Sequence, residues 1–170
     1  MTEIHLRVIA EEELAAAITL ERSCYTPEAA ATFEGFQHRN RVYPAYFWSA
    51  WADGKLVGIA NGVRTSQEEC GDEMKGAHGD DPAGHSFCVL TVAVDTNYRR
   101  QGIGGMLLRK LISQCRSDEL RSIVLMCEEQ LIGFYEQEGF VLHGRSASNH
   151  GGILWYEMSL DLHTMEHLTE

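Results

Sequence analysis

Apolar and polar positions alternate first over Ile4–Ile9, where Ile4, Leu6 and Val8 stand against His5 and Arg7, which predicts a strand. The period then lengthens: over 11–23, Leu14, Ala17, Ile18 and Glu21 recur at helical spacing. Thr26-Pro27-Glu28 has the form of a helix start, with a capping threonine, proline at the first position and an acid in the first turn. A second helix is therefore expected from there to about Asn40. Ala45–Ala52 and Lys55–Ala60 are β-like runs around Asp53-Gly54, a strong hairpin signal. Residues 66–84 are polar and rich in glycine and acids, and predict a long loop. Phe87–Val94 is the most apolar run and predicts a strand buried on both faces. A glycine-rich turn follows at Tyr98–Gly105, then a helix over Met106–Cys115 with Leu107, Leu108, Leu111, Ile112 and Cys115 on one face. Ser122–Cys127 predicts another buried strand, Gln130–Glu138 a short helix, and Phe140–His143 and Ile153–Leu160 closing strands. This order describes a mixed α/β sheet.

Composition narrows the classes. The 170 residues are 44% hydrophobic and 23% charged, enough for one domain with a real core and unlike a disordered chain. No apolar run has the length to span a bilayer, and the first residues lack the apolar stretch of a signal peptide. Five widely spaced cysteines without a CxxC pair then predict reduced thiols in a cytoplasmic protein. The net charge is −11, yet residues 96–121 carry +4 and the remainder −15. One basic island in an acidic chain points to a bound anion there, and argues against nucleic acid or an anionic membrane as partner.

The island surrounds Arg99-Arg100-Gln101-Gly102-Ile103-Gly104-Gly105, between a buried strand and an amphipathic helix. Glycines allow close backbone approach, and amides at a helix N-terminus bind anions. No Gly-Lys-Ser/Thr follows, which excludes a Walker loop, and the spacing is not that of a dinucleotide fingerprint. A tight turn that needs glycine for geometry alone is the competing explanation.

The turn resembles the [Arg/Gln]-x-x-Gly-x-[Gly/Ala] signature of the GNAT superfamily of acetyl-CoA-dependent N-acetyltransferases. The preceding Leu90-Thr91-Val92-Ala93-Val94 is similar to that family's cofactor-side strand, and Gly133–Phe140 to its Phe-Tyr-x-x-x-Gly-Phe segment. Within the family, Val124–Glu128 with Phe134-Tyr135, and Leu20–Ala30, look like the arylalkylamine (serotonin) N-acetyltransferases. The resemblance implies a single α/β GNAT domain over residues 1–165 with a short polar tail at 166–170, its mixed sheet of six to seven strands flanked by about four helices. It implies acetyl-CoA as cosubstrate and direct transfer to a small primary amine, arylalkylamine-like, by a monomer or homodimer. By position, Val92, Ala93 and Val94 would bond the pantetheine through their backbone. Arg99, Arg100, Gln101, Gly102, Ile103, Gly104 and Gly105 would cradle the pyrophosphate. Tyr135 would protonate the leaving thiolate, and Val92, Leu125 and Met126 would lie near the amine and acetyl group. Vertebrate relatives place two histidines on the central strand; here Cys88 and Leu90 occupy those positions, so that proton relay is absent.

An alkylammonium has a pKa near 10 and must lose a proton before it attacks a thioester. The resemblance, in which insect relatives place an acid in this segment, implies Glu28 as the first candidate base, although an acid there also complements a helix dipole; His85 and Glu128 are further candidates. Tyr43, Tyr46, Phe47, Trp48 and Trp51 offer either an aryl pocket or simply core. His163 and His167 have metal-like spacing without a third ligand, and no metal is expected. Polyamines, aminoglycosides and protein amines are alternative acceptors, and a non-catalytic CoA-binding module is the competing class.

Overall fold

The computed structural model describes residues 3–162, so His163, His167 and the expected tail lie outside the described residues. Seven strands form one sheet: β1 (His5–Val8), β2 (Phe47–Ala52), β3 (Lys55–Thr65), β4 (Ser86–Val94), β5 (Ser122–Cys127), β6 (Val141–Arg145) and β7 (Tyr156–Asp161). Their spatial order is β1-β2-β3-β4-β5-β7-β6. Four helices accompany them: α1 (Leu14–Cys24), α2 (Phe33–Val42), α3 (Ile103–Ser117) and α4 (Ile132–Glu136). Asp53 (φ 50°) and Gly54 (φ 77°) make the β2–β3 turn with both central residues left-handed, the form whose twist matches a hairpin.

The central strands β2–β5 are largely buried because helices cover both faces of the sheet there, whereas β1 and β6 are mostly exposed. Leu14, Ile18 and Phe36 from α1 and α2 pack with Phe47 and Ile59 on one face. Leu107, Leu108 and Leu111 of α3, with Tyr135 of α4, pack with Val57, Ala60 and Ile123 on the other. Each of the three α3 leucines is fully buried, a transfer gain of about 1.5–3 kcal/mol apiece.

Two features of β4 position the site. Its parallel pairing with β5 runs only from Ser86↔Ser122 to Val89↔Leu125. Against β3, the register jumps from Thr91↔Asn61 to Val89↔Gly62, which leaves Leu90 as a bulge. A bulge bends its strand. Beyond Leu90, β4 and β5 part, and the open edge of β4 faces a cleft.

Two expectations are corrected here. The second helix begins at Phe33, capped by the Thr32 hydroxyl accepting from Gly35 N at 3.0 Å, not at Thr26. Residues 26–30 instead form a turn in which Thr26 O accepts from the amides of Ala29 and Ala30. Ala31 N then donates to both carboxylate oxygens of the buried Glu21, a tertiary tie that outweighs the local helix signals. Second, the cysteines are not all reduced: Cys70 and Cys88 form a disulfide between the 66–84 loop and β4, and Cys24, Cys115 and Cys127 are free. Thiol titration of the unreduced, unfolded chain should count three thiols, not five. Reduction should cost about 3 kcal/mol through the closed loop, a fall of roughly 6–12 °C in Tm; an unchanged Tm and five thiols would remove the bond from the account.

The same loop is pinned to α2 by Asp80, which accepts from Tyr43 Oη and meets His38 Nε2 at 3.0 Å. Burial pushes the Asp80 carboxyl up, but the bonds from Tyr43 and His38 outweigh it and hold the group below its ordinary value. Because the folded value is depressed, this stabilisation is complete above the unfolded carboxylate pKa and is lost as pH falls through the folded one. Asp80→Asn should therefore lower Tm at neutral pH and flatten its fall in acid.

Candidate active site

Where β4 and β5 separate, a cleft of about 620 Å³ opens between β4, the start of α3 and α4. Asp95 N bonds Val57 O of β3 at 2.8 Å, so by strand alternation Thr91 and Ala93 turn their backbone groups to β3 while Val92 and Val94 turn theirs to the cleft. The open edge is met from α1 and the glycine turn: Tyr25 Oη lies 3.4 Å from Val92 O, and Cys24 Sγ and Arg99 Nε lie 3.5 and 3.3 Å from Val94 O.

At the far wall α3 begins without a side-chain cap. Gly102 at its N-cap has φ 79°, and a Cβ there would meet nothing within 4 Å, so the bare turn faces open space. The first amides of a helix lack internal partners and carry the positive end of its dipole. Arg99, Arg100 and Arg109 line this end, with Arg109 also bonded to Glu138 at 2.9 Å. This constellation suits the phosphates of a ligand extended along the cleft.

A second, smaller cavity of about 40 Å³ continues inward between α1, α2, β4, β5 and the Trp155 segment. The two share Tyr25, Val92, Glu128, Leu131 and Tyr135, which form the junction. Tyr135 is locked between the rings of Phe134 and Phe140, at centroid distances of 4.9 and 5.7 Å. Burial, reinforced by Tyr25 and Cys127, raises its phenol well above the ordinary value, and burial likewise raises Tyr25. Both keep their protons at neutral pH, and Tyr25 Oη is directed at Val92 O. Burial also pushes the Cys127 thiol up to about 11, which leaves it a poor nucleophile.

The structure brings together Val92, Ala93, Val94, Arg99, Arg100, Gly102, Ile103, Gly104, Gly105, Met126 and Tyr135 on the two cavities. Ala93 faces its backbone to β3. Gln101 is exposed and lines neither cavity. Leu125 is buried in the core, because neighbours on a strand point to opposite faces and Met126 takes the cavity side. Glu28 is exposed on the 26–30 turn and His85 is exposed beside β4; neither lines the site, whereas Glu128 stands at the junction. The aromatic cluster is core and sheet surface: Tyr46 stacks on Phe87 at 4.5 Å and Trp51 lies under Arg7. Of the basic island, Lys110 covers Trp48, while Arg116 lies at the far end of α3, about 20 Å from the turn.

Four polar or aromatic residues of the inner cavity carry weaker signals in the sequence: Glu21, Arg39, Lys75 and Trp155. Arg39 and Glu21 are only 1% and 2% exposed, unusual for charged groups and invisible in a helical pattern.

The family model described as Acetyltransferase (GNAT) family matches residues 12–140. The chain belongs to this family. It is 32% identical over 111 residues to the serotonin N-acetyltransferase of Mesocricetus auratus, a match covering 65% of the chain and 53% of that protein. The chain thus spans about half the length of that curated relative. Its fold is similar to the loading GNATL domain of CurA from Lyngbya majuscula, at TM-score 0.84 and 15% identity over 95% and 99% of the two chains. It is also similar to Arabidopsis thaliana Naa50 in complex with the bisubstrate analogue CoA-Ac-MVNAL, at TM-score 0.75 and 17% identity over 94% and 99%. In this GNAT chain Gly104 lines the cleft where a Cβ would lie 3.3 Å from Phe134 Cζ and 3.8 Å from Val92 Cγ1. Gly104→Val should therefore weaken acetyl-CoA binding by about 1–3 kcal/mol in calorimetry, tenfold being 1.4, while changing Tm little; unaltered affinity would place the cosubstrate elsewhere.

Proposed function

We propose that the protein is an acetyl-CoA-dependent N-acetyltransferase acting on a small primary amine, arylalkylamines among them, by direct transfer in a ternary complex. The observation that carries this reading is the junction: the outer cleft with its uncapped helix start and the inner cavity meet at Val92, Glu128 and Tyr135. Acetyl-CoA supplies a thioester open to attack by a neutral amine. The chain's own groups do the rest. Glu128 takes the ammonium proton at its carboxylate, in place of Glu28, which lies outside. The amine nitrogen bonds to the acetyl carbon as the carbon–sulfur bond breaks, Tyr135 Oη protonates the departing sulfur, and the second proton, lost from the acylated nitrogen, restores the Tyr135 phenol. Holding both reactants in one geometry provides much of the rate.

A small acceptor is favoured over a peptide by the small size of the inner cavity, about 40 Å³. The cavity has room for only a few waters, so a larger acceptor must leave part of itself in the outer cleft. The name of the hamster relative and the Tyr25, Tyr135 and Trp155 lining support the arylalkylamine class. Thiol release measured across tryptamine, phenethylamine, spermidine and short peptides tests the proposal. Turnover should be highest with a small monoamine-type acceptor. Tight acetyl-CoA binding with no turnover of any amine would make the chain a binding module.

A further inference from the structure

The inner cavity is lined by two carboxylates, Glu21 and Glu128, and by two cations, Arg39 and Lys75. Their placement is not symmetrical. Glu128 also lines the outer cleft and so stands beside the transfer point, whereas Arg39 and Lys75 line only the inner end. An acceptor amine approaching Glu128 therefore leaves its remaining atoms facing the cations.

Neither cation has a carboxylate in direct contact among the described residues, although Glu21 lies within electrostatic reach of both and Asp72 of Lys75. Arg39, 1% exposed, spends its bonds on neutral acceptors: Asn61 Oδ1 at 2.9 Å, Thr91 Oγ1 at 3.2 Å and the Lys75 carbonyl at 2.7 Å. Its Nε is buried without a partner. Among the described residues neither Arg39 nor Lys75 forms an ion pair. Glu21, the acid among them, is held through both oxygens by Ala31 N. Lys75 Nζ is steadied over the Trp155 ring, 3.7 Å from its centroid. Burial, opposed by Glu21, lowers Arg39 to about 10, so it stays charged at neutral pH; burial, opposed by Asp72 and Glu21 and reinforced by Arg39, lowers Lys75 to about 8. Positive charge that is withdrawn from water and not directly paired is costly, and a ligand carboxylate that pairs with it recovers part of that cost.

We infer that the acceptor carries a carboxylate as well as its amine: an amino acid whose ammonium lies toward Glu128 and whose carboxylate meets Lys75 in the field of Arg39. The inference rests on the acetyltransferase reading above and narrows its acceptor. It also disfavours polyamines and aminoglycosides, which would press a second ammonium against Arg39 and Lys75.

The test compares matched pairs with the full chain and acetyl-CoA: tryptamine with tryptophan, phenethylamine with phenylalanine, and ethylamine with β-alanine. At least one amino acid should exceed its decarboxylated partner in kcat/KM by about tenfold or more, the scale of one charge-assisted contact. Lys75→Met should bring that ratio close to one, chiefly through a higher KM for the amino acid, and Lys75→Arg should retain it. Equal or better turnover of every plain amine by the unaltered protein would overturn the inference while leaving the acetyltransferase reading intact. A preference that survives Lys75→Met would also overturn it. No turnover of either member of any pair would overturn both.

Discussion

Tyr135→Phe should lower kcat by about 10²- to 10⁴-fold, the usual contribution of a positioned general acid, with little change in acetyl-CoA affinity. The hydroxyl is the only atom removed, and the ring stays packed between Phe134 and Phe140, so the fold should hold. The pH profile carries the finer prediction. Burial raises the Tyr135 phenol well above its ordinary value, so the native enzyme should not lose activity near pH 10 through this group. In the variant, water must protonate the sulfur, so the rate should fall across the whole pH range while the shape of the profile up to pH 10 stays the same. A variant with the native rate at every pH would remove Tyr135 from the reaction.

The second large effect is expected at Glu128. Glu128→Gln keeps the shape and the neighbouring amide of Gln130, which lies 3.2 Å from the carboxylate, but removes the proton acceptor at the junction. A loss of about 10²-fold in kcat/KM for the amine is expected, partly recovered at high pH, where more of the substrate is already neutral. Glu28→Gln, on an exposed turn outside both cavities, should be close to native. The opposite pattern would return the role to Glu28 and require the 26–30 turn to move inward.

The periodic elements were legible in the sequence because their signals are local. Asp53-Gly54 fixed the hairpin, the leucine spacing fixed α3, and Ser122–Cys127 matches β5 end to end. The glycine turn and Tyr135 were legible through family motifs, and the structure gathers them on one cleft. What escaped was decided by contacts between distant segments. The Glu21–Ala31 tie delays α2, and it also leaves Glu28 outside. Arg39 looks like an ordinary helix cation until Asn61 and Thr91 of two different strands meet it. Lys75 lies in a polar loop whose position depends on the Cys70–Cys88 bond and on Asp80. The basic island was a cluster along the chain but not in space: helical rise carries Arg116 away from the turn, and Arg99, Arg100 and Arg109 remain to meet an anion.

The central claim is that acetyl passes directly from cosubstrate to amine at the Val92–Glu128–Tyr135 junction. It is tested most directly by initial rates measured over a grid of acetyl-CoA and acceptor concentrations, using the best acceptor from the panel and mass detection of acetylated protein. Double-reciprocal lines should intersect, and no cysteine should carry acetyl. Parallel lines with acetyl on Cys24 or Cys127 would contradict the account and replace it with a covalent route.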